Sequence, residues 1–396
     1  MRPRNELEVI QVLRASHRHD VPVTARGGGT ANYAQCMPIH GGAVLDLGDL
    51  DQMQWIRPGS FRAQAGIRLG AIETALNAAG QELRIFPSTL ATATLGGFIA
   101  GGSGGIGSIT WGMLREPGNI LGARLITAEA EPRVLELRGN EIGHFAHAYG
   151  TTGILTEIEM PAAPAQAWVD AALSFDDFKT AAAFGRTFAG QAAVVKKLCS
   201  VLAPPIPQNY LKPLKSWIKP GETIVLTMVA EQSWEAFAQL VAEAGGRVAY
   251  RMSASELEEK KRLPLFMMSW NHTTLLALGA DRSLTYLQTA YPQEQMLEKI
   301  ESLSNHFGDE LMQHLEFFRS GAGVGCAGIQ LLRFTTEERL EEIMAYHEAQ
   351  GCRQFNPHAY TVEDGGMKTI DLKQVAYKRI SDPKGLLNPG KMRGWS

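Results

Sequence analysis

Glycine is unevenly distributed in this chain, and that constrains its fold more than any other feature. Of 396 residues, 41 are glycine, about 10% against a usual ~7%, and the excess falls between residues 27 and 153. Residues 92–112 read TATLGGFIAGGSGGIGSITWG. Two further glycine-rich turns flank this stretch, ARGGGT at 25–30 and YGTTGILTEI at 149–158. Glycine lets the backbone reach left-handed conformations and approach a ligand closely. Consecutive glycine amides can also point at one anion as a nest. Three such turns in 130 residues imply one long ligand laid across the domain.

Within 92–112 lies GSGGIG, a literal G-x-G-x-x-G from Gly102 to Gly107. A Rossmann fingerprint must follow a strand and open a helix whose N-terminus meets a pyrophosphate. Here it is followed by SITWGMLREPGN, a poor helix by propensity. An acidic residue does follow at a suitable distance, Glu129 or Glu131. The pattern matches and the context does not, so a nicotinamide-binding fold is not expected.

The segments around these turns alternate strand and helix. A helix is expected over 5–19, with Asn5 as cap and Glu8 completing a capping box. A second spans 69–79, with Gly80 after its end. Strands are expected at 21–25, 43–47, 61–66, 122–130 and within 151–160. Beyond Pro161-Ala-Ala-Pro164 the pattern changes. Helices at 233–245, 292–307 and 335–351 alternate with strands at 222–230, 284–291 and 325–334, as helices packed on one antiparallel sheet require. The expected fold class is α+β, with domains over 1–162 and 163–350 and a C-terminal segment over 351–396.

Bulk properties exclude several classes. A net charge of −3 supplies no polyanion-binding field, so no nucleic-acid partner is expected. No apolar run approaches the 18 or so residues of a membrane span. The four cysteines, Cys36, Cys199, Cys326 and Cys352, are widely spaced, and read as thiols of a reducing, cytoplasmic compartment.

Five stretches, taken together in order, resemble the PCMH-type flavoproteins of the vanillyl-alcohol oxidase superfamily, close to the glycolate and D-lactate dehydrogenase group. They are VPVTARGGGTAN, AVLDL, FPSTLATATLGGFIAGGSGGIGSITWG, NILGARLI and AYGTTGILTEIEM, with DPKGLLNPGKM (382–392) at the C-terminus. The resemblance implies a two-subdomain FAD-binding domain plus an α+β cap with an antiparallel sheet and flanking helices. It implies that Arg26, Gly27, Gly28, Gly29, Thr30, Ala31 and Asn32 hold the FAD pyrophosphate. Pro87, Ser88, Thr89, Thr92, Thr94, Gly96, Gly97 and Gly102 then form the flavin-side wall. Thr151, Thr152, Gly153 and Ile154 hold the nucleotide end, while Asn388 and Lys391 return from the tail. A lysine near the flavin N1–C2=O locus would stabilise the reduced anion.

Covalent members carry a histidine in the first glycine loop and bicovalent ones a further cysteine. Gly28, Gly29 and Thr30 stand in the first place and residues 87–97 hold no cysteine, so non-covalent FAD is expected. The family has a strand and helix ahead of the segment with which this chain begins, so the chain is expected to be shortened there. The G-E-H-G-I-G motif of metal-dependent 2-hydroxyacid members has only VEDGGMK (362–368) as counterpart, with Asp364 in place of its histidine. That counts against metal dependence.

Two readings of function follow. In one, the chain is an FAD-dependent oxidoreductase acting on a small alcohol or hydroxy acid, with hydride passing to flavin N5 and electrons on to oxygen, a quinone or a carrier protein. In the other, it is a flavin-binding electron-transfer or structural subunit of a larger complex. A substrate base suits a histidine titrating near neutrality. His358 and His272 are the candidates, in FNPHAYTVEDGG (355–366) and SWNHTTL (269–275). Tyr360 and Tyr286 are candidates to polarise the substrate oxygen. Arg115 is a candidate for a substrate carboxylate or for an ion pair with Glu116 or Glu82.

Overall fold

The computed structural model describes all residues except Tyr33, Lys368 and Ser396. The chain divides into two compact units. The first comprises residues 1–104, 114–165 and 356–396; the second comprises 105–113 and 166–355.

In the first unit, β1 (Val23–Arg26) and β2 (Ala43–Asp46) form a parallel pair. The strands β3 (Met53–Arg57), β4 (Ser60–Gln64), β5 (Gln81–Leu83), β6 (Gly122–Ile126), β7 (Val134–Arg138) and β8 (Ile154–Pro164) form an antiparallel sheet. Its order is β3-β4-β8-β6-β7, with β5 also pairing β8. The helix Glu6–His19 starts where Asn5 accepts the Glu8 N–H at 3.0 Å. The expected reciprocal box does not close, because the Glu8 carboxylate takes the Arg4 N–H instead. Val9 and Leu13 of this helix pack on Val23, Leu45, Ile126, Ile154 and Leu387. One small core thus joins the first helix, the first strand pair, the sheet and the C-terminal tail.

The division between units falls within the G-x-G-x-x-G, after Gly104. The helix there precedes the motif rather than following it: Leu95–Gly101 is capped by Thr94, while only the single turn Ser108–Trp111 comes after. This is the reverse of a Rossmann arrangement.

The second unit is built on one sheet of nine antiparallel strands: β9 (Trp168–Phe175), β10 (Lys196–Leu202), β11 (Thr223–Ala230), β12 (Arg247–Ser253), β13 (Leu284–Ala290), β14 (Leu311–Met312), β15 (His314–Ser320), β16 (Gly323–Arg333) and β17 (Arg353–Phe355). The order is β12-β9-β11-β10-β15-β16-β13-β17, with β14 beside β16. Side chains alternate between faces along a strand. One face, carrying Leu173, Val201, Val225, Leu315 and Phe317, is buried under Phe184, Phe188, Phe237, Ile300, Leu303 and Ile343 of four helices. The opposite face carries Asp170, Ser200, His314 and Glu316, all buried. Among the described residues, no helix is long and apolar enough to cross a membrane.

Candidate functional site

The strand β1 runs directly into the first glycine loop. Among the described residues, the backbone amides of Gly27, Gly28, Gly29, Thr30 and Ala31 donate to no protein acceptor. Gly29 has φ +68°, and the Arg26 guanidinium lies against it. Free amides beside a guanidinium make an anion-binding concavity. The loop is seated directly on residues 92–94. A Cβ on Gly27 would lie 2.0 Å from Thr94 Oγ1, and one on Gly28 would lie 2.2 Å from the Thr92 carbonyl. Only glycine fits at either place. Thr94 Oγ1 in turn accepts the Gly97 N–H at 3.4 Å, and the Gly96 N–H reaches Ala65 O at 2.7 Å. Ser88 is buried in the turn that leads into this segment.

The third glycine turn adjoins the same strand. A Cβ on Gly150 would stand 3.7 Å from the Ala25 Cβ. His147 and Tyr149 both have positive φ, 55° and 54°. Gly153 has φ +148° and no room for a Cβ, which would lie 2.3 Å from Leu125. Thr151 and Thr152 are buried, and Thr151 Oγ1 donates to Ala148 O at 2.7 Å. The amides of Gly150, Thr152 and Gly153 have no acceptor among the described residues. Burial lowers the His147 imidazole to about 4 and lifts the Tyr149 phenol to about 12. Both groups are therefore neutral at pH 7.

The tail closes the arrangement. The Val23 N–H donates to Leu386 O at 2.8 Å, and the Asn388 N–H donates to Val23 O at 2.8 Å. Asn388 Nδ2 donates to Gln35 O (2.8 Å) and Tyr149 O (2.7 Å), bridging the first and third turns. Lys391 is fully buried. Its Nζ donates to Ala34 O at 2.6 Å, and burial lowers its pKa from the usual lysine value. Lys378, also buried, pairs with Asp382 at 2.5 Å and donates to Thr151 O at 2.7 Å.

Within the first unit, 26–32 thus rests on 92–94, 149–150 lies against β1, and 386–391 contacts β1, Tyr149 and the residues Ala34 and Gln35 that follow the first loop. Backbone amides, buried hydroxyls and one guanidinium are a donor set suited to a dinucleotide, and they fit FAD.

The catalytic candidates divide between the units. His358 and Tyr360 belong to the first and are exposed, Tyr360 beneath the Lys391 ammonium at 5.5 Å. Glu363 accepts the Arg393 and Gly394 amides, and Asp364 pairs with the Arg393 guanidinium. Lys368, the last residue of VEDGGMK, lies outside the described residues. Arg115 pairs with Asp371 at 3.4 Å.

His272 and Tyr286 belong to the second unit. His272 is half-buried in the first turn of the helix Asn271–Ala280. Its Nδ1 is buried with no partner among the described residues, and burial lowers its pKa. The neighbouring Asn271 Oδ1 accepts from Gln288 Nε2 at 3.5 Å. The sequence reading missed Ser200, His314 and Glu316. Glu316 takes the Ser200 hydroxyl at 2.7 Å and faces His314 Nε2 at 2.8 Å. The signal was present as H-x-E in β15, since alternate residues of a strand share a face. Among the described residues, no group of three His, Cys, Asp or Glu is placed to hold a metal ion.

The two units have the fold class of a PCMH-type FAD-binding domain and an α+β domain built on an antiparallel sheet. Residues 1–136 match the family described as FAD binding domain. The chain is 26% identical over 218 residues to an FAD-linked oxidoreductase of Mycobacterium tuberculosis, covering 52% of this chain and 44% of that protein. It is 27% identical over 164 residues to the glycolate oxidase subunit GlcD of Bacillus subtilis, covering 39% and 34%. It is 25% identical over 181 residues to the mitochondrial D-2-hydroxyglutarate dehydrogenase of Bos taurus, covering 43% and 33%. The chain thus matches less than half the length of these relatives. In fold it is similar to alkyldihydroxyacetonephosphate synthase, with a TM-score of 0.72 at 16% identity over 98% of this chain and 76% of that one.

Proposed function

We propose that this chain is an FAD-dependent oxidoreductase that oxidises a small alcohol or 2-hydroxy acid and passes the electrons to oxygen, a quinone or a carrier protein. The observation that supports the reading is that loop 26–32 rests on 92–94 while Gly150 and Asn388 both lie against the strand that feeds that loop, with unbonded amides in the first and third turns. Relatives named for glycolate, D-lactate and D-2-hydroxyglutarate make 2-hydroxy acids the first substrates to test.

Bound FAD supplies the hydride acceptor at N5. The chain supplies the rest. The loop 27–31 and Arg26 bind the diphosphate without covalent attachment. Lys391, held by Ala34 O, brings a buried cation to the tail side of the site. The substrate proton needs a base that is neutral at pH 7. His358, in the same unit as the binding stretches, and His272, in the second unit with a ring that burial keeps deprotonated, are the two candidate bases.

The test is anaerobic. Protein reconstituted with FAD is mixed with glycolate, D-lactate, D-2-hydroxyglutarate and simple alcohols, and absorbance near 450 nm is followed. One class should bleach the flavin. Of His358→Ala and His272→Ala, the variant that has lost the base should bind FAD yet bleach slowly. Protein that stays colourless with FAD would overturn the whole reading; full bleaching by both variants would overturn only the base assignment.

A further inference from the structure

The C-terminal tail carries a buried cation into the first unit. Lys391 is fully buried; its Nζ donates to Ala34 O at 2.6 Å and lies 5.5 Å from the centre of the Tyr360 ring. Among the described residues it has no carboxylate partner. A buried charge is costly unless it is paired, so an ammonium held here is suited to an anionic ligand.

The chain around Lys391 is tightly turned. Asn388 and Gly390 both have positive φ, 41° and 81°, and a non-glycine residue stays in that region only where its surroundings over-determine it. The loop 361–366 supplies the constraint. The Val362 N–H donates to Lys391 O at 2.8 Å. The buried Glu363 carboxylate accepts two successive amides, Arg393 N–H at 2.9 Å on Oε2 and Gly394 N–H at 3.2 Å on Oε1. Hydrogen bonds to a carboxylate are roughly twice as strong as neutral ones. The neighbouring Asp364 also meets the Arg393 guanidinium, but these side chains are 41% and 62% exposed, and exposed pairs contribute little. The loop is itself seated on the third glycine turn. Val362 packs on Tyr149, and a Cβ on Gly366 would lie 1.9 Å from His147 Nε2.

We propose that Glu363 is a positioning residue for the FAD site: by accepting the Arg393 and Gly394 amides it fixes the tail turn that holds Lys391 against Ala34, just past the first glycine loop. The inference rests on the reading of these stretches as an FAD site, and one part of its test does not need the cofactor.

In the full chain without FAD, native-state acetylation by an N-hydroxysuccinimide ester, read by peptide mass spectrometry, reports how readily Lys391 becomes exposed. Glu363→Leu removes both acceptors at similar volume. It should speed labelling of Lys391 at least about tenfold, the scale of lost charged hydrogen bonds. Glu363→Gln keeps one acceptor oxygen, is the safer variant for folding, and should give an intermediate rate. Asp364→Asn should leave Lys391 protected. Lys378, buried in the same unit, is the internal reference: a general loosening labels it as well, whereas loss of positioning labels Lys391 alone. Unchanged protection of Lys391 in both Glu363 variants, or an equal gain at Lys378, overturns the proposal.

FAD affinity, measured by flavin fluorescence, then joins the residue to the site. Lys391→Met should weaken FAD on the order of tenfold, and Glu363→Leu should weaken it by a similar factor. Because Glu363 acts through Lys391, the double variant should bind no more weakly than Lys391→Met alone; additive losses overturn the link. If the parent protein binds no FAD, the FAD reading falls, while the labelling result still assigns the placement of Lys391 to Glu363.

Discussion

Asn388 donates its backbone N–H to the Val23 carbonyl at 2.8 Å and its side-chain Nδ2 to the Tyr149 carbonyl at 2.7 Å. Val23 begins the strand that feeds the first glycine loop, and Tyr149 begins the third glycine turn. One residue near the C-terminus thus fixes the spacing of two turns that lie far apart in the sequence. Asn388 is itself at φ +41°, a conformation asparagine tolerates better than most residues. Asn388→Ala should leave buried carbonyls unpaired and lower stability by about 2–4 kcal/mol. Paired thermal melts with and without FAD should show a larger loss in the FAD-bound form.

The buried pair Lys378–Asp382 lies behind the third turn. Asp382 also accepts the Leu386 and Leu387 amides, and Lys378 donates to Thr151 O. Breaking one half leaves an uncompensated buried charge, which costs about 3–5 kcal/mol. Lys378→Met should therefore unfold the protein at markedly lower urea. The double variant Lys378→Met/Asp382→Leu should be more stable than Lys378→Met alone, and denaturant titration of the three proteins decides the point.

The seating of the first loop on Thr92–Thr94 predicts that Gly27→Ala and Gly28→Ala displace it, since their new Cβ atoms would stand 2.0 and 2.2 Å from existing atoms. FAD affinity should fall at least about tenfold in each, the equivalent of ~1.4 kcal/mol. Gly143→Ala, where a Cβ meets nothing within 4 Å, is the control and should bind FAD normally. Flavin fluorescence titration measures all three.

His147 gives the first unit a defined acid sensitivity. Burial depresses its pKa from 6.5 to about 4, so between these values the unfolded chain binds more protons than the folded one. Stability from this group is complete above pH 6.5 and is lost as pH falls through about 4, to a total of about 3 kcal/mol. His147→Gln should flatten that part of the stability–pH curve.

Asp170 acts in the opposite direction in the second unit. Burial raises it from 3.8 to about 7, against the Leu265 N–H that it accepts at 2.6 Å. Its stabilising contribution is complete below pH 3.8 and is lost as pH rises through about 7, by up to about 4 kcal/mol. Asp170→Asn should therefore be more stable than the parent at pH 8 and no more stable at pH 4, in chemical denaturation at the two pH values.

The helix Leu95–Gly101 shows where local reading runs out. Gly96 and Gly97 lower its propensity, and it is not among the helices expected from the sequence. It forms because Thr94 caps it and Gly96 lies against Ala65, where a Cβ would stand 2.7 Å from the Ala65 Cβ. Conversely, the helix expected over 335–351 spans Glu337–Ala349 and that expected over 69–79 spans Leu69–Ala78, since caps and apolar spacing are local properties.

What the sequence alone determined was the set of elements and the chemistry of the turns: three glycine-rich stretches able to free their amides, and a second half of alternating strands and helices. These follow from side-chain period and backbone freedom within a few residues. What only the tertiary structure decided was which turns meet. Asn388 reaches Tyr149, Gly27 rests on Thr94, and Glu316 takes Trp270 through contacts between distant segments. No local pattern encodes such contacts, because they depend on sheet order and register, which are set by the burial of the whole core.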